Sequence, residues 1–148
     1  MENTFKKVHT TKDLVISIIV ILAGAGLLFA NTVLGICVIL CGAIMLVCCK
    51  SGIMKEGQTT LLKKKTLELN HDCKKSIVDF LDGANVVPCV KEGNEGGTVK
   101  LLVYYNESDK VAYAQLSDYV DYGFKPVTEM VELRGQRYEQ LMLNCHEK

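Results

Sequence analysis

The sequence predicts two unlike pieces in one chain: a membrane α-helical hairpin of two transmembrane helices, followed by a small α+β domain with a mainly antiparallel sheet and about two helices. Three observations carry this expectation. Thirty-six consecutive residues, Leu14 to Cys49, contain no charge. A polar pair, Asn31 and Thr32, divides that run in the middle. Beyond it the apolar residues fall into short alternating and helical patterns separated by turn residues, the order expected of an α+β domain. The expected boundaries are an N-terminal segment at 1–13, the hairpin at 14–49, a connector at 50–58 and the α+β domain at 59–148.

A single helix over the uncharged run would be about 54 Å long, against a hydrocarbon core of roughly 30 Å. Division at Asn31 and Thr32 leaves Leu14 to Ala30 and Val33 to Cys49, each about 25 Å as a helix, at the short end of the spanning range. Asn31 is expected to end the first helix in the left-handed conformation, and Thr32 to accept from the first free amides of the second. The helices are expected to pack through small residues, Ala23, Gly26 and Ala30 on the first and Gly35, Gly42 and Cys49 on the second.

Charge is unevenly placed. Residues 1–66 hold eight lysines against three acids, and residues 67–148 hold nine basic against fourteen acidic residues. Lys6, Lys7 and Lys12 precede the uncharged run, and Lys50, Lys55, Lys63, Lys64 and Lys65 follow it. The positive-inside tendency then places both termini on the cytoplasmic side of a plasma or inner membrane, with the lipid bilayer as partner and Lys50, Lys55 and Lys63–Lys65 against anionic headgroups. The acidic balance of the C-terminal part argues against nucleic acid. Seven cysteines in irregular spacing argue against a secreted disulfide framework.

Within the α+β part, partial alternation predicts a strand near 60–69, and Asn70 a helix cap. Cys73, Ile77, Phe80, Leu81 and Ala84 share one face of the helix that follows, which Gly83 closes. Residues 85–90 read as a short extended edge segment because of Pro88. The clearest hairpin joins "TVKLLVYY" to "KVAYAQL" through Asn106–Asp109. "FKPVTEMVEL" reads as one further extended segment and "GQRYEQLML" as a closing helix.

No residue set specifies a reaction. His71, Asp72, Cys73, Cys89, Cys145 and His146 are the right types for zinc, but they lack the close-paired spacings of a strong site. A Cys–His nucleophile lacks partner geometry, because His71 and Cys73 are two apart and point in different directions on a helix. Gly93, Gly96 and Gly97 lack the Lys-Ser or Lys-Thr of a phosphate loop. The expectation is therefore no catalytic residue, no metal and no cofactor. Tyr119, Tyr122 and Phe124, set between Asp118 and Asp121, suit either a partner-binding surface or the edge of a small sheet.

The functional expectation is a small integral membrane protein that presents a compact acidic domain for protein interaction or regulation, with a protein partner or self-association through the hairpin. Two rivals stand beside it. One is a holin-like or pore-forming effector, against which Ser17 is the sole polar residue inside the spans. The other is a membrane-associated enzyme using Cys73, Cys89 or Cys145.

Overall fold

The computed structural model describes residues 4–91, 93 and 98–146. The fold is α+β, and among the described residues it holds seven strands, every pairing antiparallel, and four α-helices. The chain divides into two compact units, Thr4–Leu61 and the residues from Leu62 onward.

In the first unit, β1 (Phe5–Val8) leads into α1 (Thr11–Leu27), which a short turn joins to α2 (Thr32–Cys48), and β2 (Gly52–Lys55) follows. Thr10 starts α1 with a capping box: its hydroxyl accepts from the Asp13 amide, and the Asp13 carboxylate accepts from the Thr10 amide at 2.9 Å. Helix α1 stops three residues before the sequence predicts, because Leu28 to Ala30 form the turn, with Ala30 and Asn31 amides both donating to the Leu27 carbonyl.

The membrane expectation is overturned here. No described helix is long and apolar enough to cross a membrane. The reason lies at the two ends of α1. The helix begins at Thr11 and takes Lys12 and Asp13 into its first turn, so its uncharged part runs only from Leu14 to Leu27, about 21 Å. Helix α2 has seventeen residues, about 25 Å, against roughly 30 Å of hydrocarbon. The integral-membrane placement and the orientation derived from it fall with the spans.

The roles expected of Asn31 and Thr32 are also corrected. Asn31 is extended (φ −152°, ψ 108°) and caps α2 by accepting from the Leu34 amide at 3.2 Å, while Thr32 is the first residue of that helix. No left-handed residue is needed, because α1 ends in the right-handed region at Leu28.

Glycines set the distance between α1 and α2. A Cβ at Gly35 would lie 2.7 Å from the Leu28 amide nitrogen and 2.9 Å from the Gly24 carbonyl oxygen. One at Gly24 would lie 2.8 Å from the Ile39 nitrogen, and one at Gly42 would lie 3.1 Å from the Ile21 nitrogen. Gly35 and Gly42 thus lie at the seam. On α1 the seam residue is Gly24, whereas Ala23 and Gly26 face outward, Gly26 with nothing within 4 Å of its Cβ position, and Ala30 lies exposed in the turn beyond the helix.

Strands β1 and β2 pair with Phe5 opposite Lys55 and Val8 opposite Gly52, so the N-terminal segment and the connector form a ribbon that the sequence reading leaves unpaired.

The second unit begins with β3 (Leu61–Asn70), whose first residue falls on the boundary. A single 3-10 turn, His71–Cys73, leads into α3 (Lys74–Leu81); β4 (Thr98–Asn106), β5 (Val111–Val120), β6 (Gly123–Pro126), β7 (Val131–Arg134) and α4 (Gln136–His146) complete it. Strand β4 lies between β3 and β5, with Leu67 opposite Leu101, Leu69 opposite Val99, and Leu101 opposite Leu116 in turn. These residues share one face, and Ile77, Phe80, Leu81, Tyr138, Leu141 and Cys145 of the two helices complete the core against it. The predicted single segment at 124–133 is two strands, both paired with β5, since Val127 and Thr128 turn their amides to the Leu116 carbonyl. Residues 85–90 form no strand, and Ala84 lies exposed past the end of α3.

Gly35→Ala forces backbone against backbone and is expected to destabilise the chain by about 1–3 kcal/mol in chemical denaturation followed by circular dichroism, while Gly26→Ala, in open space, costs nothing and gains up to about 1 kcal/mol of helix propensity. The two-residue turn between β5 and β6 puts Asp121 and Tyr122 at φ 50° and 62°, a conformation that L side chains resist. Tyr122→Gly is therefore expected to raise stability by about 0.5–1 kcal/mol, after the loss to the more flexible unfolded chain.

Candidate functional site: the apolar helix pair and its polar base

Helices α1 and α2 are apolar on all sides beyond their first turns, and a helix of that kind is normally covered by something. Fifteen large apolar side chains between Leu14 and Val47 are exposed, among them Leu22 at 65%, Phe29 at 96%, Leu40 at 56% and Val47 at 67%. The exposed area is then on the order of 1,000 Å², several times the few hundred Å² a monomer leaves in one patch. Ser17 is buried, its hydroxyl donating to the Asp13 carbonyl at 2.8 Å, so the one polar side chain of the α1 interior offers nothing to water.

The base of the pair is polar and closed by one carboxylate. Asp13, besides serving the capping box, accepts from the Ser51 amide at 3.0 Å and from the Ser51 hydroxyl at 2.8 Å. Thr10 and Ser51 hydroxyls also meet at 3.1 Å. The Thr10 and Ser51 donors hold the Asp13 carboxyl far below the ordinary carboxylate range, backbone amides contributing most. The signal for this clasp is present in the sequence as Thr10-x-x-Asp13 before an apolar run, a capping box with Asp in place of Glu.

The lysines expected at headgroups lie otherwise. Lys63 pairs with Glu107 at 2.8 Å, Lys65 donates to the Cys145 carbonyl at 2.6 Å, and Lys64 lies 6.0 Å from the Tyr104 ring centre. Lys50 is exposed and Lys55 half-buried.

The described chemistry-bearing residues of the second unit form no ligand set, although Cys89 packs against the core cluster that holds Cys73. Among the described residues no group of three or more His, Cys, Asp or Glu could hold a metal. His71 turns outward with its Nδ1 3.9 Å from Asp118, whereas Cys73 is buried. Asp118 binds Lys74 at 2.5 Å, and that lysine holds its carboxyl below the usual range. Cys145 is buried and its thiol is pushed up to about 11, which leaves almost no thiolate at neutral pH. The side chain of His146 and most of the 92–97 glycine loop lie outside the described residues.

The aromatic cluster at 119–124 splits. Tyr119 and Phe124 stack edge to face at 5.2 Å, with Lys100 Nζ 3.8 Å from the Phe124 ring centre, while Tyr122 at the tip is 98% exposed.

The Asp13 clasp gives a pH prediction with a definite sign. A carboxyl lowered in the folded state contributes stability above its unfolded value near 3.8, and that contribution disappears as pH falls through the folded value. The Ser51 amide resonance is expected to stay at its bonded position through pH 4 and move only in stronger acid, whereas Asp13→Asn removes this titration; movement centred at pH 4 in the parent chain would refute the clasp. Comparison with protein families, with curated proteins and with solved structures finds no match, so the functional reading rests on this chain's own residues.

Proposed function

We propose that the chain is a non-catalytic interaction protein, in which the α1–α2 pair is a self-association element and the acidic second unit is the part displayed by the assembled copies. The observation that carries this reading is the exposed apolar sheath of the helix pair. Its area exceeds the roughly 800 Å² per partner that a stable interface buries. The outward face of α1 also offers Ala23 and Gly26, the kind of small-residue surface that already lets α1 and α2 approach through Gly24 and Gly35. A second copy is thus the occupant whose chemistry is on hand.

Sedimentation equilibrium of the full chain, in buffer and in density-matched non-ionic detergent, tests the reading. The expected outcome is a dimer or larger assembly at micromolar concentration in both. Leu22→Glu with Leu40→Glu, both on the outside of the pair, is expected to weaken association at least about tenfold while leaving helix content intact. A monomer in both conditions overturns self-association, as does a chain that floats with phosphatidylcholine vesicles and shows no cross-linking through the exposed Cys37, Cys41 and Cys48.

A further inference from the structure

Two thiols of the second unit, sixteen residues apart in sequence, are brought into contact. Cys73 is buried at the start of α3, and Cys89 is half-buried on the segment that returns over that helix. Cys89 packs against the core cluster that holds Cys73, close enough for its thiol to raise that of Cys73.

The contact is held from both sides. Ser76 on α3 donates to the Val87 carbonyl at 3.1 Å and accepts from the Cys89 amide at 3.2 Å. The Asn70 amide donates to the Lys91 carbonyl at 3.0 Å. Pro88, fully buried between these anchors, restricts the backbone next to Cys89. Neither sulfur belongs to the helix pair, and neither is used by the proposed association.

We propose that Cys73 and Cys89 are a thiol-modification site, at which exchange with a low-molecular-mass disulfide such as oxidised glutathione converts the two thiols into a reversible intramolecular disulfide. The half-exposed Cys89 thiolate attacks the disulfide, forming a mixed disulfide and releasing one thiolate, which takes up the proton Cys89 lost. Cys73 then loses its proton and its sulfur attacks the Cys89 sulfur, releasing the second small thiol. One small disulfide is reduced to two thiols, and two protein thiols are oxidised to one disulfide. Burial pushes the Cys73 thiol up, so the second step quickens as pH rises. The product ties the start of α3 to the segment following it and closes residues 73–89 into a covalent loop.

Peptide mapping by mass spectrometry after incubating the folded full chain in glutathione buffers of increasing oxidised fraction reads this directly. The expected product is a Cys73–Cys89 linked peptide, reversed by dithiothreitol, with Cys145 still a free thiol. The mixed disulfide at Cys89 should persist longer at pH 7 than at pH 9, and should become the end product in Cys73→Ser. In Cys89→Ser, Cys73 should stay unmodified. Absence of the linked peptide at the most oxidising ratio overturns the proposal, as does equal glutathione incorporation at Cys73 with and without Cys89.

Discussion

The backbone of α1 at Gly24 rests against the backbone of α2 at Gly35 with no side chain between them, and the unit Thr4–Leu61 is organised by that approach. Two helices this close must leave the turn with their axes nearly fixed, so the residue before one helix and the residues after the other return to the same place. There Asp13 meets Ser51, and the strands on either side, β1 and β2, fall into register over four residue pairs. A ribbon that short is marginal by itself. It is sustained because the helices bring together segments more than forty residues apart in sequence.

The second unit depends on a different regularity. Strand β4 places Val99, Leu101 and Val103 on one face, and its neighbours supply Leu69, Leu67, Leu116 and Ala114 directly opposite. The two helices cover that face. Arg137 of α4 donates to the carbonyls of Phe80 and Leu81 at the end of α3 and stacks over the Phe80 ring, so one side chain satisfies a helix terminus and joins both helices.

Much of this second unit was legible because local patterns suffice for it. Alternation in β4 and β5, the turn residues at 106–109, the apolar face of α3 and the closing helix are all signals within a dozen residues. Where legibility failed, the cause was non-local or a matter of one residue. Four-residue strands such as "FKKV" and "GIMK" carry no alternation long enough to notice. The spacing of Ala23, Gly26 and Ala30 points to a small-residue face of α1 through Gly26, but a single contact with Gly35 selects Gly24. The membrane expectation came from counting uncharged residues; the capping box at Thr10 instead spends the first turn of α1 on Lys12 and Asp13, and the turn at Leu28–Ala30 removes three more. For the site, the Asp13 box was readable and its Ser51 partner was not, since nothing local links residues 13 and 51. The Cys73 and Cys89 contact was equally hidden, because the segment that carries Cys89 has no regular structure to predict from.

Strand β5 is longer than either strand on its far side, and it divides that edge between β7 for Val111–Ala114 and β6 for Ser117–Val120. The outer rim of the sheet there is two four-residue pieces with a break between them, too short and too discontinuous to serve as a template for a foreign strand. Copies gathered through their helices would hold these rims at high local concentration, the condition under which continuous edges zip together into fibrils. In an assembly of the kind proposed, the interrupted rim would keep crowding from becoming polymerisation, and would leave the helical sheath as the surface of contact between copies.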